Sequence, residues 1–189
     1  PTMRSLMIHY DPLCISQAEL KKFITPLLGR EFTLDDDIIR WRIPVCYENK
    51  YAPDIEDVSR SLKVSASEII KQHTSVELEV FMMGFLPGFP YLGLLPEIFD
   101  LPRRVEPRVH VPPRSISVAA RQTTIYTIDS PGGWHLIGQT PVDFYDPNRE
   151  NPVLVKAGDK VSFFAINSKE YPAVRRALKA DEYPLIMDC

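Results

Sequence analysis

The chain has 189 residues, 44% hydrophobic and 25% charged, with a net charge of -3, which is the composition of an ordinary globular protein of one large domain or two small ones. That balance argues against nucleic acid as a partner, since nucleic-acid binders carry a basic face, and no apolar run is long enough to span a bilayer. Three cysteines, Cys14, Cys46 and Cys189, are odd in number and far apart, which argues against a disulfide framework and for a reducing, cytoplasmic setting.

In chain order, the sequence begins at Pro1 without a long apolar segment, so no secretory signal is expected, and the start reads as processed, trimmed or part of a longer chain. Thr2–Tyr10, with Leu6-Met7-Ile8, reads as a strand. Ser16-Gln-Ala-Glu19 is a capping box ahead of Leu20, Phe23, Ile24, Leu27 and Leu28, so one apolar helix face ending near Gly29 is expected. Ile39–Tyr47 alternates Trp41, Ile43 and Val45 on one side, and Pro44 places that strand at an edge or bulge. A short helix over Asp54–Leu62 follows, then a second capping box at Ser65–Glu68 and a helix through His73. A strand at Val76–Val80 ends this α+β half, assigned to residues 1–80.

Residues 81–189 differ in texture. Glycine and proline punctuate short strand candidates at Ile116–Ala119, Thr124–Ile128, His135–Gln139, Val142–Tyr145, Val153–Val155 and Lys160–Ala165. Closing such a set into a barrel would remove its edges. Ser168–Ala180 reads as a terminal helix with Pro172 in its first turn.

Four features bear on chemistry. Gly84–Gly93 (GFLPGFPYLG) is stiffened by proline and carries Phe85, Phe89 and Tyr91; it is either an aromatic surface for a flat ligand or partner helix, or an ordered loop over a core. Ser130–Trp134 (SPGGW) either offers backbone N–H groups to an anion or makes a tight hairpin with Trp134 inside. Gln122 could orient an amide or satisfy nearby backbone, and Asp146 reads as a turn cap rather than an acid or base. The four histidines stand at no ligand spacing, so no metal is expected, and the absence of a phosphate-loop or dinucleotide fingerprint means that ATP is not expected on this chain.

Taken in order, Ile43–Tyr47 (IPVCY), GFLPGFPYLG, Gln122-Thr123, SPGGW, Leu136–Gly138, Phe144–Pro147 (FYDP) and Ala157–Asp159 resemble one family over nearly the whole chain. It is the group of the B-type 5-oxoprolinase subunits, also called allophanate hydrolase subunit 1 and carboxyltransferase subdomain C and D, which includes an inhibitor of a sporulation histidine kinase. The resemblance implies an α+β N-terminal domain of split-βαβ (ferredoxin-like) type, here truncated at its start, followed by a cyclophilin-like β-barrel. It implies an ATP-dependent 5-oxoprolinase in which the chain works with a paralogous C-type subunit and a third subunit, ATP being used by the whole complex. The alternative it implies is a regulatory module that binds a histidine kinase. A small lactam or amide would sit near Phe85, Phe89, Tyr91, Arg121, Gln122, Thr123, Ser130 and Trp134. The chain departs from the family at Pro113-Arg114 and around Gln122-Thr123, where glycines are usual; Arg114 and Arg121 would then narrow or recharge the pocket.

Overall fold

The computed structural model describes residues 2–30 and 38–186. The chain divides into two units, Pro1–Ile38 and Ile39–Cys189.

In the first unit, the Ser16 hydroxyl accepts the Glu19 N–H at 3.3 Å and the Glu19 carboxylate accepts the Ser16 N–H at 3.0 Å. This reciprocal cap starts α1 (Gln17–Ile24), which passes into a 3-10 turn over Thr25–Leu27, where Pro26 has no N–H for an α-helical bond. The strand expected at Thr2–Tyr10 does not form. Leu6 and Met7 are 64% and 75% exposed, and none of the described residues of this unit is a strand that could pair with it, without which an extended segment has no ladder. The split-βαβ sheet is therefore not built by these residues.

The second unit holds β1 (Arg40–Cys46), α2 (Ile55–Leu62), α3 (Ala66–Thr74), β2 (Glu77–Met83), β3 (Pro90–Gly93), β4 (Arg108–Val111), β5 (Ser115–Ala119), β6 (Gln122–Ile125), β7 (Ser130–Gly132), β8 (His135–Gln139), β9 (Lys160–Ile166) and α4 (Tyr171–Lys179). Seven of these strands close a barrel in the order β1-β8-β5-β6-β3-β2-β9, and β4 pairs with β7 as a separate ribbon. β1 and β9 run parallel, in register from Arg40↔Lys160 to Cys46↔Ile166. The alternating residues Trp41, Ile43, Val45, Leu78, Val80, Ile116, Val118, Val161 and Phe163 fill one core, as period-two side chains on a closed sheet must.

The division near residue 80 is thus corrected to one after Ile38, because β1 and β2 are staves of the barrel and their apolar faces have no other core to enter. At Pro44, β1 has β9 as a registered partner on one side, and β8 joins on the other only at Cys46↔Gln139, so the proline falls where one side of the strand carries no registered ladder, as expected. The strands expected at Val142–Tyr145 and Val153–Val155 reduce to one bridge, Tyr145↔Val153, flanked by the Asp146 N–H to the Pro152 carbonyl and the Leu154 N–H to the Phe144 carbonyl, both 2.9 Å; the turn between them is held by an Asx bond, Asn148 N–H to the Asp146 carboxylate at 2.9 Å. The Ala157–Asp159 turn has a second task. Asp159, 1% exposed, accepts the Ile39 N–H at 3.2 Å, the Trp41 indole N–H at 2.9 Å and the Lys156 N–H at 3.0 Å, which ties the start of β1 to the start of β9.

α2 packs on β8 and α3 on β9. α3 is capped by the Ser65 hydroxyl, which accepts the Glu68 N–H at 3.2 Å. Its buried face delivers Ile69 and His73 to the core.

Candidate functional site

The strand period decides what the barrel shows on its outside. Registered pairs place Tyr91, Thr124, Ser117 and Leu136 in one row across β3, β6, β5 and β8. The next row, Leu92, Thr123 and Val118, points to the opposite face, since Leu92 and Val118 belong to the main core. The outer row would be wet on an ordinary barrel. Here it is covered by a second small core of Phe89, Val111, Tyr126 and Leu136, with Leu86 and Tyr91 against it. The Gly84–Phe89 loop and the β4–β7 ribbon contribute to this cover, and Thr127 ties the loop down by donating to the Pro87 carbonyl at 2.7 Å.

The aromatic side chains form one connected group. Phe85 and Phe89 meet edge-on at 5.4 Å, Phe89 and Tyr126 at 5.1 Å, and Tyr91 and Trp134 at 6.0 Å, spacings in the range of favourable aromatic pairs. The SPGGW motif is strand β7 followed by a buried Trp134. Its Gly132 has a physical reason: a Cβ there would lie 2.1 Å from the Tyr126 hydroxyl, so only glycine lets β7 cross that phenol. Burial raises the pKa of Tyr126 and of Tyr91, and the positive charge of Arg103 opposes this at both phenols.

Beneath these rings lies a set of buried polar atoms without partners. Ser117 Oγ, Thr124 Oγ1, Ser130 Oγ and Gln122 Nε2 make no hydrogen bond, and Ser117 and Thr124 are fully buried. The Ser117 hydroxyl is close enough to the Tyr126 hydroxyl to oppose the rise in its pKa, without full hydrogen-bond geometry. Buried hydroxyls and amides nearly always find a partner, and leaving one unmade costs about 1–3 kcal/mol. Several in one place are donors and acceptors that an ordered water or a ligand would complete.

The expected residues separate into two groups. Phe85 (exposed at the rim), Phe89, Tyr91, Gln122, Ser130 and Trp134 belong to this outer face or its cover. Thr123 does not: it points inward, where its hydroxyl meets His73 Nε2 at 3.1 Å. Nor does Arg121, whose side chain donates to the Leu95 carbonyl at 3.1 Å and pairs with Glu97. Arg114 is likewise turned away, onto Asp143 at 3.2 Å, so neither arginine narrows the site. The backbone there keeps the left-handed conformation that glycine favours, with φ of +68° at Arg114, +48° at Ala120 and +59° at Arg121. The residues missed are Ser117, Thr124, Tyr126 and Arg103. The signal for the first two was present: in a strand, Gln122 and Thr124 share a face and Thr123 cannot join them.

Two open clefts, about 1190 and 870 Å³, lie elsewhere on this unit. The larger is lined by Asp143 and Arg175, which are paired with each other at 3.1 Å. Among the described residues, no three of His, Cys, Asp and Glu gather as a metal set, and no helix is long and apolar enough to cross a membrane.

The chain is 43% identical over 133 residues to the B-type 5-oxoprolinase subunit of Bacillus subtilis, an overlap of 70% of this chain and 55% of that one, so it spans about half the length of this curated relative. Its fold superposes on a conserved uncharacterized protein from Pyrococcus horikoshii with a TM-score of 0.68 at 38% identity, over 86% of this chain and 74% of that one. The urea amidolyase of Kluyveromyces lactis shares the fold alone, with a TM-score of 0.68 at 16% identity over 93% of this chain and 12% of that one. The model of the carboxyltransferase domain, subdomain C and D, matches residues 1–155. Matching that model over most of its length, and carrying the family's motifs on the strands and loops just described, the chain belongs to the carboxyltransferase subdomain C and D family.

Proposed function

We propose that this chain is the substrate-holding subunit of an ATP-dependent complex that hydrolyses a small amide, with the cyclic amide 5-oxoproline as its substrate. The observation that carries the reading is the set of buried, unpartnered Ser117 and Thr124 hydroxyls on the sheet face beside Tyr91 and Tyr126, in a chain similar to a protein named as a B-type 5-oxoprolinase subunit. Hydroxyls both donate and accept, so they match the C=O and N–H of one amide. Aromatic walls suit a flat ring, and Gln122 and Ser130 add a further amide and hydroxyl. The face has no nucleophile with an adjacent base, the pairing that covalent catalysis needs. Activation of the amide, and the ATP that drives it, therefore fall to the partners: a paralogous C-type subunit and a third subunit. No metal on this chain is called for.

The test is ATP-dependent hydrolysis of 5-oxoproline by the assembled complex. Activity should vanish when this chain is left out and return when it is added back. Thr124→Val, which keeps the side chain's shape, should lower kcat/KM by roughly tenfold or more, the worth of one buried substrate hydrogen bond. Full turnover without the chain overturns the reading.

A second reading, a regulatory module that docks on a histidine kinase, is favoured by the exposed apolar side chains Phe85, Val105 and Val109, which are 61%, 98% and 74% exposed. Failure to retain any histidine-kinase dimerisation domain in a pull-down removes it.

A further inference from the structure

Arg103 is the one arginine of its segment not committed to a carboxylate. Arg104 and Arg108 both bind Asp54, at 3.2 and 2.8 Å. Arg103 has no ion-pair partner among the described residues; its guanidinium stands over the Trp134 ring, 5.7 Å from the centroid. Its place is set by its neighbours. The Arg104 N–H donates to the Gly133 carbonyl at 2.7 Å, and His135 Nε2 bonds the Pro102 carbonyl at 2.9 Å. The segment is thus bonded on both sides of Arg103 to the residues flanking Trp134.

A guanidinium lying on an aromatic face keeps its edge N–H groups free for a two-point bond to an oxyanion. The Tyr91 ring meets the same Trp134 at 6.0 Å, the Tyr126 hydroxyl lies against Gly132 two residues before it, and the positive charge of Arg103 acts on both phenols. Arg103, Arg104 and Arg108 stand against Asp54 and Glu106, so the balance over this segment and Asp54 is still positive. An anion here needs no closed cavity, because Arg103 itself is exposed.

We propose that Arg103, with the Tyr91 and Tyr126 hydroxyls, forms an oxyanion subsite over Trp134, at the rim of the face that carries Ser117 and Thr124. It takes a carboxylate or a phosphate: a carboxylate borne by the amide substrate, or a phosphoryl group put on during ATP-driven activation. The role of the subsite rests on the amide-binding reading above, whereas the recognition of an oxyanion rests on Arg103 alone. Arg103 is then a specificity-determining residue that separates charged from neutral ligands of one shape.

Calorimetric titration of the full 189-residue chain tests this with four probes: 5-oxoproline, the neutral lactam 2-pyrrolidinone, acetate and inorganic phosphate. The variants are Arg103→Gln and Arg103→Lys, and because the side chain is exposed both should keep the wild-type melting temperature. The expected result is that 5-oxoproline or phosphate binds, that Arg103→Gln weakens that binding by roughly tenfold or more, as loss of a charge-assisted pair does, and that Arg103→Lys recovers part of it. 2-Pyrrolidinone should bind both proteins alike. Sensitivity of 5-oxoproline but not phosphate assigns the carboxylate, and the reverse assigns the phosphate. Anion binding that depends on Arg103 while neither lactam binds supports the subsite and overturns the amide reading. Binding of 5-oxoproline and of phosphate that both ignore Arg103→Gln, or no binding of any of the three anions, overturns the subsite.

Discussion

His73 is fully buried between Tyr47 and Thr123, with ring nitrogens 2.8 and 3.1 Å from their hydroxyls and its ring stacked on Phe163 at 4.7 Å. Burial lowers its pKa from the ordinary 6.5 to about 3. The unfolded chain takes up the proton near 6.5 and the native one only near 3, so the neutral ring's contribution is complete above 6.5. Below that it falls by about 1.4 kcal/mol per pH unit until the native ring also titrates. Urea unfolding at about pH 7, 6 and 5 should give a steeper loss for the wild type than for His73→Phe; equal slopes would mean that His73 is not held neutral. Thr124 offers a different diagnostic. Its orphaned hydroxyl is a cost in the free chain, so Thr124→Val should raise stability by about 1 kcal/mol while impairing turnover. A site that exists for a ligand is where stability and activity move in opposite directions. Ala120, exposed at φ +48°, should accept glycine with a gain of about 0.5 kcal/mol, read as a higher urea midpoint.

At the level of elements, the β4–β7 ribbon is held over the outer sheet face by one carboxylate. Asp54, 1% exposed just ahead of α2, takes Arg104 and Arg108 from the segment entering β4 and the Leu136 N–H of β8 at 2.7 Å. Replacing it with alanine strands a buried N–H and frees two arginines that are about a quarter exposed. The expected cost is roughly 2–4 kcal/mol, with faster hydrogen exchange at the Leu136 amide and faster proteolysis across 103–109; an unchanged unfolding midpoint would show that the ribbon is held otherwise. The hairpin of β5 and β6 shows how far local pattern reaches. Its turn lies at Ala120-Arg121, both with positive φ, the backbone of a two-residue hairpin that matches strand twist. Neither residue type advertises that conformation, so the turn was visible in the sequence only through the alternation on either side.

At the scale of the molecule, every buried member of the main core lies from Trp41 onward, and α1 buries none of its residues. A chain beginning at Ile39 should therefore fold, with far-UV circular dichroism and a single cooperative melt close to those of the full chain; loss of cooperativity would show that residues 1–38 are required. The sequence by itself determined the capped helices, most barrel strands and the family, because caps, period-two alternation and motif order are local or linear properties. It also brought Phe89, Tyr91, Ser130 and Trp134 into view, since proline, glycine and aromatic residues in such density are unusual on any strand, and Gln122 through the family resemblance. Only the tertiary structure decided that Ile39–Tyr47 is a barrel stave rather than part of an N-terminal sheet, because β1 meets β9 across more than a hundred residues of chain, and no local pattern encodes such a pairing. Only it separated Thr124 from Thr123 and brought Arg103 to Trp134 while sending Arg121 to Leu95. Which face of a strand is covered, and by what, depends on elements that the chain supplies far away.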